Sequence, residues 1–222
     1  MKQKFTILFD LDGTLVDTAP DLMLAHNHVM RKFGYPTKST EDIRNLVGKG
    51  AGALIGRSIW GQAKKEFSKV LDEKIKDEMV KEFVSFYGKN IVNESTLVTG
   101  VKDFLIWCKE ENISMAVCTN KQEHLSNDLL KKIGIYDFFE YVAGSDTFDY
   151  CKPDPRHLTN VVEILDGDIK KTIMIGDSET DANAAKAAEI PVILLENGYT
   201  EKNTTEIYHN HLIKDFIGIE KI

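Results

Sequence analysis

The sequence predicts an α/β fold: a mostly parallel sheet flanked by helices, with an all-helical module inserted after the first strand. Three observations predict it. Short runs rich in β-branched and aromatic residues recur along the chain, and stretches of helical periodicity separate them. One long interval contains helical patterns and no convincing strand, which breaks the alternation.

The first run, Phe5 to Phe9, reads as a buried parallel strand. The next is expected only near Ile113, whereas a strand-helix-strand unit takes about 30 residues. Helical patterns fill the gap. Asp21 to Phe33 carries Leu22, Met23, His26, Val29 and Met30 on one face. Glu41 to Val47 opens after a cap at Thr40. Ala51 to Trp60 follows, then Asp77 to Tyr87 with Met79, Val80, Phe83, Val84 and Phe86. Residues 17–88 are therefore expected to form the helical module, over an α/β core made of 1–16 and 89–222. In that core a helix over Val101 to Glu111 leads into a strand over Ser114 to Cys118. Helices over Glu123 to Ile133, Arg156 to Leu165 and Ser178 to Ala188 then alternate with strands over Tyr141 to Ala143, Thr172 to Ile175 and Val192 to Leu195. Beyond Asn197 the chain carries no readable pattern.

Composition bounds the function. The chain has 222 residues, 42% hydrophobic and 28% charged, enough apolar material for one core and a smaller module. A net charge of -7 disfavours nucleic acid and anionic membranes as partners. An anionic ligand would then need a bound metal or placed Lys and Arg. Cys108, Cys118 and Cys151 make neither a disulfide framework nor a CxxC zinc pair. Reduced thiols and a cytoplasmic location are expected. The apolar run before Asp10 is too short for a signal peptide, and no run is long enough to span a bilayer. A monomer or homodimer is expected.

Four elements carry chemistry, each directly after a strand. Asp10-Leu11-Asp12-Gly13-Thr14 places two carboxylates on the same side of an extended chain, and Gly13 permits the turn that ends it. Converging carboxylates repel, which favours a divalent cation, and magnesium is the oxygen-preferring choice. In Gly176-Asp177-Ser178-Glu179-Thr180-Asp181, Asp181 lies one helical turn beyond Asp177 and faces the same way, which suits either a ligand set or a helix cap. Thr119-Asn120 offers a hydroxyl and an amide, for a phosphate oxygen or for the next helix. Lys152-Pro153-Asp154-Pro155 is a fixed cation suited to a carboxylate and a phosphate, or an exposed turn. Right-handed crossovers put all four at one edge of the sheet, where open Rossmann-like sheets bind ligands.

In order and spacing these motifs resemble those of the haloacid dehalogenase-like hydrolase superfamily, over the whole chain. The helical module is similar to that superfamily's α-helical cap. Asp10 to Leu22, Val47 to Gly50, Thr119 to Lys121 and the Lys152-Pro153-Asp154-Pro155 run look most like the phosphoglycolate phosphatase branch. The resemblance implies a magnesium-dependent phosphatase of small phosphorylated metabolites. Asp10 would be the nucleophile that forms an aspartyl-phosphate, and Asp12 the general acid and base. Magnesium would be held by the Asp10 carboxylate, the Asp12 backbone carbonyl and Asp177, with Asp181 supporting or completing the shell. Thr119, the backbone amide of Asn120 and Lys152 would hold the phosphoryl oxygens.

An aspartate at position 12 argues for phosphate chemistry over carbon-centred dehalogenation. The leading substrate is 2-phosphoglycolate. Sugar phosphates, nucleotides, pyrophosphate or phosphoglucomutase-like transfer are alternatives, as is a phosphate-binding module without catalysis. The Gly48-Lys49-Gly50-Ala51-Gly52 run lacks the spacing of a dinucleotide loop and reads as a substrate loop, with Lys49, and more weakly Arg57, toward a substrate carboxylate or simply solvated. Asp17 and Thr18 mark the hinge into the cap. His26 and His28 face different ways, and Trp60 and Trp107 read as core. One departure from the family stands out: Glu189 occupies a position where relatives commonly have Gly, at the turn that ends a helix.

Overall fold

The computed structural model describes residues 4–66 and 73–221, without the side chains of 60–66 and 73. The reading of Trp60 as core falls outside the described side chains. In chain order the elements are β1 (Thr6–Phe9), β2 (Val16–Asp17), α1 (Ala19–Phe33), α2 (Thr40–Arg44), α3 (Ala51–Glu66), α4 (Glu73–Lys89) and β3 (Thr96–Leu97). After these come α5 (Val101–Glu110), β4 (Ser114–Cys118), α6 (Glu123–Ile133), β5 (Tyr141–Ala143) and α7 (Arg156–Ile164). The chain continues through β6 (Thr172–Gly176), α8 (Glu179–Ala187), β7 (Val192–Leu195) and β8 (His211–Ile213).

Six strands form one sheet in the order β5-β4-β1-β6-β7-β8, and every neighbouring pair is parallel. The chain leaves β1, returns at β4 on one side of it, and later crosses to β6 on the other. β1 therefore sits at the switch point, where a crevice opens at the carboxyl ends of the strands. Alternation along β1 sends Ile7 and Phe9 to one face and Leu8 to the other. On the first face they pack with Phe104, Leu105, Leu129 and Leu130 of α5 and α6. On the second, Leu8 meets Leu158 and Val161 of α7 and Ala182 and Ala185 of α8. The first cluster runs on without a break into Leu22, Val29, Met30, Ile55, Met79 and Phe83, so the helices of 19–89 share their core with the sheet.

Three local differences from the sequence reading have physical causes. Phe5 precedes β1, beyond the amino end of this central strand, and is 61% exposed. The cap of α2 is Ser39 and not Thr40: the Ser39 hydroxyl accepts from the Asp42 amide while the Asp42 carboxylate accepts from the Ser39 amide. The segment beyond Asn197, which showed no pattern, contains β8, a three-residue edge strand parallel to β7. Glu189 does end its helix, at φ 58°, and the Ile190 amide still reaches the Ala185 carbonyl. Trp107 packs against the core and stacks on Phe104. Among the described residues no helix is long and apolar enough to cross a membrane.

The neck of the helical module is closed twice. β2 and β3 pair antiparallel, Val16 against Leu97 and Asp17 against Thr96. Just above, the buried Asp21 carboxylate accepts from the amides of Asn93, Glu94 and Ser95 and from the Ser95 hydroxyl. Asp21→Ala would strand those donors, so a loss of about 3 kcal/mol is expected in urea unfolding. A loss below 1 kcal/mol would show that the returning strand is held by other means.

Candidate active site

Each of the four motifs ends on the rim of the crevice. Asp10 continues β1 by donating its amide to the Ile175 carbonyl at 2.9 Å, and its side chain lines the crevice at the strand end. Gly13 follows with φ 83°, and a Cβ there would lie 2.2 Å from Asp177 Oδ2. Only glycine allows that turn to close against the second acidic motif. From β6, Asp177 is 1% exposed, and its Oδ2 accepts from the Tyr199 amide at 2.6 Å. Asp10, Asp177 and Asp181 bring one carboxylate oxygen each within 4.8 Å of one another, all buried.

Lys152 stands among these acids, 2% exposed, with its ammonium 3.0 Å from Asp10 Oδ1 and 2.5 Å from Asp181 Oδ1. The other Asp181 oxygen accepts from the Asp177 and Ser178 amides and the Ser178 hydroxyl. Asp181 thus caps α8 and holds Lys152 with the same carboxylate; of its two alternatives, the helix cap is realised. Burial pushes the Asp10 carboxyl up to about 6, against the opposing pull of Lys152 and with repulsion from Asp181. Burial, then Asp10 and Asp181, raises Asp177 well above the usual carboxylate range. Burial works against the charge on Lys152, yet Asp10 and Asp181 outweigh it and hold the ammonium above its ordinary value.

Thr119 is buried at the end of β4, its amide on the Ala143 carbonyl. The Asn120 side-chain amide donates to the Lys152 carbonyl at 2.9 Å and to the Gly48 carbonyl at 3.1 Å, tying the rim to the glycine loop. Asp12 stands apart from the carboxylate cluster. Its side chain accepts from the Thr18 hydroxyl at 2.6 Å and from the Lys121 ammonium at 2.7 and 2.8 Å.

The crevice is a cavity of about 260 Å³. Asp10, Asp12, Thr119 and Asn120 line its floor, and the glycine loop with Lys49 lines one side. Leu22, Val47, Leu54, Val80, Phe83 and Val84 make an apolar wall, and Lys121, Gln122 and Ser145 add polar groups to the lining. Arg57 is not among the lining residues. Its guanidinium is taken up by the Leu46 and Asn45 carbonyls and by Glu201, because α3 turns that position away from the crevice. Three participants were not assigned roles from the sequence: Lys121, Tyr87 and Tyr199. Lys121 had a signal, its place directly after Thr119-Asn120. The other two had none, since their contacts come from segments far away in the chain.

The model of the haloacid dehalogenase-like hydrolase family matches residues 7–195. The chain belongs to that family. As a haloacid dehalogenase-like hydrolase it has full-length relatives: a phosphoglycolate phosphatase of Caulobacter vibrioides is 38% identical over 216 residues, covering 97% of this chain and 89% of the relative. One from Mesorhizobium japonicum is 37% identical over 210 residues, covering 95% and 90%. Among solved structures, a predicted phosphoglycolate phosphatase of Haemophilus somnus superposes with a TM-score of 0.92 at 30% identity, covering 100% of this hydrolase and 98% of that chain.

Proposed function

We propose that this hydrolase is a phosphatase of small phosphomonoesters, 2-phosphoglycolate first, working through an aspartyl-phosphate on Asp10. The observation that carries the reading is the position of Asp10. A carboxylate at the end of the central strand opens on a cavity while Lys152 and two further acids surround it. The names of the relatives point the same way.

A magnesium ion suits this donor set: three buried oxygen donors converge, and Asp10 Oδ1 is buried with no hydrogen-bond partner beyond its ionic contact with Lys152. Asp10, Asp177 and the Asp12 carbonyl would hold it, with Asp181 behind them. When bound, such a metal would supply positive charge that offsets the phosphoryl oxygens beside Asp10. Asp10 attacks phosphorus, and Lys152, Thr119 and the Asn120 amide hold the equatorial oxygens. Asp12 gives a proton to the leaving oxygen and later takes one from the water that frees Asp10. Closure of the helices of 19–89 over the rim keeps bulk water off the acyl-phosphate. The apolar wall offers few partners for sugar hydroxyls, which favours a small acid over hexose phosphates. The net charge of -7 leaves nucleic acid and anionic membrane outside the proposed partners.

A phosphate-ester panel in magnesium and in EDTA tests this. Turnover is expected with magnesium, should vanish in EDTA and should return on adding excess metal. It should be highest on 2-phosphoglycolate. Preference for hexose phosphates or nucleoside monophosphates would remove the substrate assignment, and full activity in EDTA would remove the metal.

A further inference from the structure

We infer that Lys121 is the receptor for the substrate's carboxylate, and that through its contact with Asp12 it ties recognition of that group to the orientation of the proton donor. This rests on the small-acid reading above. Four charged side chains line the cavity among the described residues: Asp10, Asp12, Lys49 and Lys121. The two cations differ sharply. Lys49 is exposed on the glycine loop, whereas Lys121 is 8% exposed, deep beside the floor. A cation withdrawn from water attracts an anion far more strongly than a solvated one.

Position then selects the ligand group. The Lys121 ammonium lies 2.7 and 2.8 Å from the two Asp12 oxygens. A general acid must come within about 2.6–3.2 Å of the oxygen it protonates. In 2-phosphoglycolate the carboxylate is joined to that bridging oxygen through a single methylene. A cation that touches the acid is therefore within reach of a carboxylate carried next to the bridging oxygen.

The ammonium has three donors, two directed at Asp12. On its other side it lies 4.6 Å from the centre of the Tyr87 ring, which also lines the cavity. Tyr87 is 1% exposed, and its hydroxyl is buried without a hydrogen-bond partner. Native proteins seldom leave such a group unpaired, so an orphaned hydroxyl on a ring that faces a buried cation marks a place where a ligand supplies the missing acceptor. A carboxylate there receives Lys121 and the Tyr87 hydroxyl together, with the apolar wall excluding water around both.

The experiment compares kcat and KM for 2-phosphoglycolate and for 2-hydroxyethyl phosphate, which keeps the bridging oxygen and chain length but carries no carboxylate. Wild type, Lys121→Met, Lys121→Arg and Lys49→Met are assayed with saturating magnesium. Any loss through a misplaced Asp12 falls on both esters and cancels in the ratio of their kcat/KM values. Wild type is expected to favour 2-phosphoglycolate. Lys121→Met should cut that preference on the order of 100-fold, chiefly through KM, and Lys121→Arg should restore part of it. If Lys121→Met does not fold by circular dichroism, Lys121→Gln takes its place with the same expectation. A variant that turns over neither ester is read by the ratio of their calorimetric affinities. An unchanged ratio in the Lys121 variants overturns the inference, as does a ratio that collapses only in Lys49→Met. A wild type indifferent to the two esters removes the small-acid reading itself, and this inference with it.

Discussion

Asp10→Asn is expected to lower kcat on 2-phosphoglycolate by about 10⁴-fold or more while the protein stays folded. The amide matches the carboxylate in shape but cannot attack phosphorus, so no covalent intermediate can form. The substitution also removes one of three carboxylates gathered within 4.8 Å, and Lys152 retains Asp181 as its partner. The metal-free variant should therefore melt no lower than wild type. Both parts matter. An inactive protein that has also unfolded says nothing about the nucleophile, whereas a folded variant with wild-type turnover assigns the chemistry to another group. A steady-state assay paired with a thermal melt reads both.

Lys152→Met should produce the second large effect, and on two observables at once. The ammonium is buried between Asp10 and Asp181, at 3.0 and 2.5 Å. An apolar chain of similar length leaves three acids in a low-dielectric pocket without their cation. Breaking a buried pair from one side typically costs about 3–5 kcal/mol, and that loss is expected in metal-free urea unfolding. Turnover should fall by at least about 100-fold, since a fixed positive charge at the phosphoryl oxygens is lost. Lys152→Arg is not expected to rescue it, because a planar guanidinium does not fit where a compact ammonium bridges two oxygens. Rescue by arginine would mean that charge alone, and not its placement, is what this position supplies.

The strands of the core were legible because most of their residues are buried and form short β-branched runs, and the helices because their apolar residues recur on one face. β4, β5 and β7 begin and end where the residue pattern places them. β8 was not legible: at the sheet edge only Ile213 of its three residues is buried, so it makes no apolar run, and its place is decided by the neighbouring β7. The two-residue strands β2 and β3 are invisible for the same reason, since each exists only through the other. At the site, residues next to strand ends could be located, because the rim collects whatever follows a parallel strand. Arg57 could not. Arg57 lies one turn beyond the lining residue Leu54, but its long side chain is free to choose partners, and the Leu46 and Asn45 carbonyls and Glu201 take it. Tyr87 and Lys121 lie 34 positions apart, and no local pattern announces that a ring and an ammonium will meet.

Tyr199 joins two parts of the molecule that mechanism usually treats apart. Its amide is bound to Asp177, and its hydroxyl donates to Asp17 while accepting from the Ala19 amide at the root of α1. A single residue is thus moored to an acid of the carboxylate cluster at one end and to the root of α1 at the other. If the helices close over the rim as proposed, a shift of Asp177 would be felt at the root of α1 and the reverse, because coupling between two places in a protein runs equally in both directions.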